Sequence, residues 1–382
     1  MVEEIRNFNK AIKRIKRAVR EKERIILYGD EDLDGISSIV VLEETIKNLG
    51  GEIDRVCFSN REKNGYGISL LVLDILKERA PALLISLDVG IGNFKEIERA
   101  NEMGFEVMII DHHEPLNGLP PASIIIDPKQ SDDKYPFKNF ANVGIVYKLC
   151  LELLGKNASL NLKRSLAELA ALGTIADMMP QVEENREIIE EGLGSLPYTL
   201  RPGLKALLNM AGLPLEDSLH KIIGALNSGE GDCFEHETYQ LLTCPSREFC
   251  EELAKRLLER NRQREEGVKN IIKEIERRIL QQQNNPFIFE GDKAWKLILM
   301  GSAAGSLCQK YCKPVFVFKI GEEESSGSVR TPSDVNSVEV LKFCQHLLIN
   351  YGGHPRAAGF RVKNENLPKF KECLISYFTK RN

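Results

Sequence analysis

The sequence predicts an α/β protein: a parallel-sheet domain joined by one long helix to a smaller α+β domain. Alternation in the first third of the chain carries this reading. The short apolar runs Ile25-Ile26-Leu27-Tyr28, Leu83-Leu84-Ile85-Ser86-Leu87 and Val107-Met108-Ile109-Ile110 are separated by stretches with a helical period. Such runs read as buried strands, and strands alternating with helices build a parallel sheet covered on both faces. A helical period over residues 246–283 then leads into a tail that contains the strand-like Pro314-Val315-Phe316-Val317-Phe318-Lys319.

Taken in order, residues 1–22 place Ile5, Phe8, Ile12, Ile15 and Val19 on one helix face, with most Lys and Arg on a solvated face. Helical patterns follow near 37–49, 68–79 and 93–103. Residues 140–215 are mainly helical, with Pro202-Gly203 ending one helix and another beyond it. In the long helix, Phe249, Leu253 and Leu257, then Val268, Ile271, Ile272, Ile275 and Ile279, keep the period. Its polar centre, Asn261 to Gly267, suits either an exposed, salt-bridged face or a connector across a cleft, with arginines facing it. Asn284-Asn285-Pro286 stops the helix. The expected divisions are 1–245, 246–285 and 286–382.

Composition narrows the class. A chain of 382 residues exceeds one ordinary core. An apolar fraction of 42% with a single Trp fits a soluble globular protein. No apolar run approaches the ~18 residues of a membrane helix, and the charged N-terminus lacks a signal-peptide pattern. Nine cysteines, scattered, suggest neither zinc nor a disulfide frame; Cys308 and Cys312 are spaced as packed helix neighbours, and a cytoplasmic location is the simplest. The net charge of −4 gives no polyanion signal, so a nucleic-acid site would be a local basic patch, partly offset by metal.

The chemistry gathers where the apolar runs end. The first is followed by Gly29-Asp30-Glu31-Asp32-Leu33-Asp34-Gly35, the second by Asp88 and the third by Asp111-His112-His113, while an apolar helix ends at Asp177. Ligands of open α/β sheets gather at such strand ends. Crowded carboxylates repel and are costly to bury charged, and a divalent cation removes that cost. Mixed carboxylate and imidazole ligands suit Mn²⁺ better than Ca²⁺, and an EF-hand loop would need a later Glu and flanking helices. Two ions about 3.5–4 Å apart would clamp a phosphate and activate water. Gly35 permits a tight turn into a helix starting near Ile36, with Ser37 and Ser38 as its caps.

This ordered set resembles the DHH phosphoesterase superfamily, and within it the RecJ branch of single-strand-specific exonucleases. Further matching stretches are Asn60 to Gly67, Asp127-Pro128-Lys129, Tyr135-Pro136-Phe137, Val143-Gly144, Gly327-Ser328-Val329-Arg330 and Gly352 to Gly359. The resemblance covers most of the chain. It implies that Asp32 and Asp34 hold separate metal ions, that Asp88 bridges both, and that His112 and Asp177 complete the second site. Relatives outside the nuclease branch carry a histidine where Tyr28 stands, so Asp30 or water would fill that gap. Asp111 would orient an imidazole. His113 would contact phosphate and take part in catalysis with Asp88 and Arg330. Ser328, Arg330, Gly353 and His354 would bind substrate in the second domain, with Arg330 as a bidentate fork.

The implied activity is a Mn²⁺- or Mg²⁺-dependent, two-metal 5′-to-3′ exonuclease acting on single-stranded nucleic acid, with DNA as the expected substrate and no membrane partner. Two departures weaken the case for a processive nuclease gripping long single strands and leave the metal chemistry untouched. The sequence ends at Asn382 without the oligonucleotide-binding barrel usual in this branch. Residues 222–231 carry Ala225 and Glu230 where relatives have arginines. A hydrolase of short oligonucleotides or cyclic dinucleotides would need no barrel. A non-catalytic replication scaffold is disfavoured by the intact acid and imidazole set.

Overall fold

A computed structural model describes residues 4–61, 65, 67–115, 118–212, 214–280 and 285–379. It divides into two compact units, Met1–Asn261 and Arg262–Asn382.

The first unit opens with α1 (Phe8–Glu21), β1 (Ile25–Gly29), α2 (Leu33–Asn48), β2 (Arg55–Phe58), α3 (Leu70–Leu76) and β3 (Ala82–Leu87). It continues through α4 (Phe94–Glu102), β4 (Phe105–Ile110) and β5 (Ile124–Ile126). The strands form one parallel sheet in the order β2-β1-β3-β4-β5. Ile25 and Leu27 of β1 pack with α1 and α2 on one face, while Ile26 and Tyr28 pack with Val72, Leu73 and Ile97 on the other. Burial on both faces explains why these strands read as unbroken apolar runs instead of alternating ones. The sequence reading missed β2 and β5 because Arg55–Phe58 and Ile124–Ile126 are too short to stand out from their surroundings.

Helices complete the unit: α5 (Asn142–Leu154), α6 (Leu160–Ala176), α7 (Glu183–Ser195), α8 (Pro202–Ala211), α9 (Leu215–Leu226) and α10 (Glu237–Thr243). Two local expectations need correction. Helix α2 starts at Leu33, and its cap is Asp32, whose Oδ1 accepts from the Gly35 N–H at 3.2 Å. Ser37 and Ser38 are buried inside the helix, because the chain already turns helical at Leu33 with Asp32 as its cap, an equally good capping residue that comes first. In α1, Arg14 is buried instead of solvated, held between Glu23 and Glu106.

Helix α11 (Arg247–Ile279) runs 33 residues without interruption, joins the two domains and contains the division between the units. Arg256 and Arg260 pair with Glu237, and Arg260 also reaches Glu230 at 3.5 Å. Those arginines are therefore neutralised within their own unit. The stop signal at Asn284 lies outside the described residues.

The second unit contains β6 (Ile288–Asp292), α12 (Met300–Tyr311), β7 (Val315–Ile320), β8 (Glu324–Arg330), α13 (Ser337–Phe343), β9 (Leu348–His354), β10 (Ala357–Lys363) and α14 (Leu367–Thr379). Its mixed sheet has the order β6-β7-β8-β10-β9. Phe316, Phe318, Phe360 and Phe370 fill the core under α13 and α14. Cys344 and Cys373 form a disulfide with Cα atoms 6.1 Å apart. This corrects the expectation of no disulfide. The partners are 29 residues apart, a spacing that carries no signature. Cys308 is buried on α12 and Cys312 caps its end.

Candidate metal centre

The acids of the first unit line up through a backbone staircase. The Asp30 N–H donates to the carbonyl of Leu87 at the end of β3 (3.2 Å), the Asp88 N–H to that of Ile110 at the end of β4 (3.0 Å), and the Asp111 N–H to that of Ile126 at the end of β5 (3.0 Å). Each acid thus sits one step past its strand, on the carboxyl edge of the sheet. The order 2-1-3-4-5 reverses direction between β1 and β3, where ligand sites of such sheets occur.

The carboxylates converge on His112. Its Nε2 lies 3.2 Å from Asp88 Oδ1, 3.6 Å from Asp177 Oδ2 and 3.8 Å from Asp34 Oδ2. Its Nδ1 is 2.9 Å from the Phe140 carbonyl oxygen and donates to it, so the Nε2 lone pair faces the acids. Asp34 is held in turn by the start of α5, where Oδ2 accepts from Asn142 N and Oδ1 from Val143 N, both at 2.7 Å. Oxygen and nitrogen atoms of three sets lie within 4.8 Å of one another: Asp88, His112 and His113; Asp34, His112 and Asp177; and Asp30, Asp32 and Asp88.

Two close approaches make this packing possible. Gly35 lies so near the Asp30 turn that a Cβ would sit 2.5 Å from the Asp30 carbonyl oxygen. Its role is contact distance, not the special turn conformation expected from sequence. Asp88 has a φ of 63°, a left-handed conformation that Asp and Asn tolerate better than most residues.

The electrostatics favour a cation. Burial, then repulsion from Asp177 and Asp32, pushes the Asp34 pKa well up; burial, then Asp34 and the other acids, does the same at Asp88. Burial and Asp32 raise Asp177 to about 7. Asp177 Oδ2 is buried with no hydrogen-bond donor among the described residues. A carboxylate set that resists its own charge, and one oxygen without a donor, fit a divalent ion better than they fit an empty cavity.

Around this set the other predicted residues take distinct positions. Burial works against the Asp30 charge, but the Arg61 guanidinium and the Ser59 hydroxyl hold its pKa below the usual range. Arg61 also reaches Asp32 at 2.9 Å. Asp111 Oδ1 accepts from the His112 N–H, the His113 N–H and His113 Nδ1, and its Oδ2 accepts from the Ile91 N–H. It is therefore an anchor for the His-His pair. Burial disfavours a charged His113, yet Asp111 outweighs it and raises the imidazole to about 9. Tyr28 lies in the core opposite, its hydroxyl accepting from the Ser69 N–H at 3.1 Å.

Sequence reasoning gave no role to Arg61, Ser59 or the Phe140 carbonyl. Arg61 entered only through the Asn60 to Gly67 stretch that resembles the family. Asp127, just past β5, likewise received no role. Burial and Asp111 raise it to about 8, and its Oδ2 has no hydrogen-bond partner among the described residues.

In the second unit Arg330 ends β8. Burial depresses its pKa, and among the described residues no carboxylate pairs with it. It fits beside Gly301, where a Cβ would lie 2.9 Å from its Nη2 and 3.7 Å from Ser328 Oγ, so Ser328 and Arg330 share a face. Gly353 has a φ of 136° and faces Ala358 of β10 too closely for a side chain. The His354 side chain lies outside the described residues, as do Glu62, Lys63, Asn64 and Tyr66 of the stretch after β2.

Two family models match: the DHH family, N-terminal domain, over residues 24–174, and the DHHA1 domain over 284–380. The chain carries a DHH-family N-terminal domain followed by a DHHA1 domain. Among curated proteins, this DHH chain is 35% identical over 380 residues to the single-stranded-DNA-specific exonuclease RecJ of Bacillus subtilis (strain 168), covering 97% of the chain and 48% of that relative. It is 27% identical to RecJ of Escherichia coli (strain K12), covering 97% of the chain and 69% of that relative. The DHH chain thus spans about half the length of the Bacillus relative. Among solved structures, exonuclease RecJ bound to manganese superposes with a TM-score of 0.78 at 26% identity, covering 99% of this chain and 95% of that one. RecJ of Thermus thermophilus in complex with Mn²⁺ matches with a TM-score of 0.82 at 24% identity, covering 100% and 56%, a likeness of fold. Among the described residues of the DHH chain, no helix is long and apolar enough to cross a membrane.

Proposed function

We propose that this chain is a metal-dependent exonuclease that hydrolyses single-stranded DNA from its 5′ end in the cytoplasm. The observation that carries the reading is the convergence of Asp34, Asp88 and Asp177 on His112 Nε2 at the β1/β3 edge. The relatives named for this activity support the substrate class. Asp32, Asp34, Asp88, His112 and Asp177 would hold two Mn²⁺ or Mg²⁺ ions, with Asp30 beside them under Arg61. Ions bound there would offset carboxylate charge, polarise a phosphoryl oxygen and lower the pKa of water.

The chain's own residues supply the rest. Asp111 keeps His113 protonated near neutral pH, so the imidazolium opposes charge developing on phosphorus oxygens. Asp34, fixed by the Asn142 and Val143 N–H groups, holds its oxygens without rotamer freedom. Ser328 and Arg330 offer a hydroxyl and a fork for a substrate phosphate. The test is a labelled single strand incubated with Mn²⁺, with Mg²⁺ and with chelator, beside Asp88→Asn. Mononucleotide release from the 5′ end that chelator and the substitution both abolish is expected. Full hydrolysis in chelator would overturn the reading.

A further inference from the structure

The first unit carries a cavity of about 530 Å³ that has no part in the chemistry above. It lies at the amino ends of the strands. Arg24 precedes β1 and Arg55 opens β2, and both line it together with Arg79 and Phe234. The five residues of β1 separate Arg24 from Asp30, roughly 20 Å at strand rise.

Charge in this cavity is unevenly balanced. Arg79 is bound to Asp54 at 2.6 Å. Arg24 donates to the Arg79 carbonyl at 3.2 Å, and among the described residues no carboxylate pairs with Arg24 or Arg55. Glu78 is the remaining acid in the lining. Arg24 and Arg55 together offer two positive charges without carboxylate partners among the described residues, enough for the nearly two negative charges of a phosphomonoester and too few for a triphosphate.

The aromatic wall is fixed. The loop bearing Phe234 is tied to the sheet edge by the Phe58 N–H, which donates to the Cys233 carbonyl at 2.9 Å. Within the loop, Asp232 Oδ1 accepts from the N–H groups of Phe234 (2.8 Å) and Glu235 (2.9 Å). Arg55 sits 5.8 Å from the Phe234 ring centroid. Ile75 of α3, 57% exposed, adds an apolar wall.

We propose that this cavity binds a nucleoside monophosphate, with its phosphate on Arg24 and Arg55 and its base on Phe234 and Ile75. Guanidinium forks recognise phosphate, bases stack on aromatic rings, and the volume lies within the range of small-ligand sites, about 300–1,000 Å³. The site does not rest on the nuclease reading, since it uses none of the acids or histidines of the metal centre.

The test is calorimetric titration of AMP, and separately of inorganic phosphate, into the full chain in chelator. One saturable AMP site is expected in the wild type and, unchanged, in Asp88→Asn. Arg24→Ala with Arg55→Gln should weaken AMP at least tenfold, and Arg55→Gln alone keeps the test open should the double variant fail to fold. Phe234→Ala should weaken AMP at least fivefold and leave phosphate binding as it was. Absence of saturation, loss of binding in Asp88→Asn, insensitivity to Arg55→Gln, or phosphate binding as tightly as AMP would each overturn the proposal.

Discussion

The Nδ1 of His112 donates to the Phe140 carbonyl oxygen across 2.9 Å, and this one bond decides which ring nitrogen meets the acids. The carbonyl accepts from Nδ1, so the imidazole arrives with Nε2 aimed at the acids. His112→Gln removes that nitrogen while keeping a polar group. Mn²⁺ affinity, read by electron paramagnetic resonance of the free ion, should fall by more than roughly tenfold. Unchanged affinity would show that His112 is not a ligand.

Asp88 and Asp111 are adjacent steps of the staircase with opposite duties. Asp88→Asn keeps the left-handed backbone and removes a charge that its neighbours oppose, so the metal-free protein should become more stable while hydrolysis falls by orders of magnitude. Asp111→Asn leaves donors around a buried amide and should cost roughly 2 kcal/mol of stability. Urea unfolding in chelator checks both signs. Equal losses of stability would refute the division of roles.

Metal-free stability should fall between pH 3.8 and about 7. Asp177 has a folded pKa near 7 against an ordinary value of 3.8, and Asp34 and Asp88 are shifted in the same direction. The folded state therefore binds protons more tightly than the unfolded chain, and each unit of rising pH across that window works against folding. Mn²⁺ should cancel the decline. Melting temperatures at pH 5 and 7.5, with and without Mn²⁺, supply the check.

His113 should act in the opposite sense. Its folded pKa of about 9 lies above the ordinary 6.5 because Asp111 overcomes burial. That stabilising contribution is complete below pH 6.5 and disappears as pH rises through about 9. In chelator, His113→Gln should remove the alkaline loss that the wild type shows between pH 7 and 9.5. A wild-type melting temperature that is flat over this range would contradict the His113–Asp111 pairing.

Gly35→Ala should destabilise the protein and weaken Mn²⁺ binding together. A Cβ at 2.5 Å from the Asp30 carbonyl forces α2 away from the turn that carries Asp30 and Asp32. Thermal melting and Mn²⁺ titration of the same sample should move in step. Loss of stability with normal Mn²⁺ affinity would separate the turn from the site.

Much of this was legible because the sheet writes its edge into the sequence. Asp88 and Asp111 stand directly after apolar runs, and His112 follows them by adjacency alone. What stayed hidden depends on distant contacts. The N–H groups of Asn142 and Val143 reach Asp34 across more than a hundred residues, and no local pattern announces them. Arg61 comes to Asp30 only once β2 is paired with β1, and β2 is too short to read. The α2 cap was misplaced because Ser37 and Ser38 fit a capping preference that Asp32 had already satisfied.

The staircase also sets how this chain can change over time. Strand residues are interchangeable among apolar side chains of similar bulk, since they need only fill space. Length is another matter. One residue gained or lost within β1, β3 or β4 turns the terminal acid to the opposite face of the sheet and breaks its bond to the neighbouring strand. A survey of single apolar substitutions of similar bulk and of single-codon insertions should therefore find the same strands permissive to the first and intolerant of the second, with the boundary between the two falling at Gly29, Leu87 and Ile110.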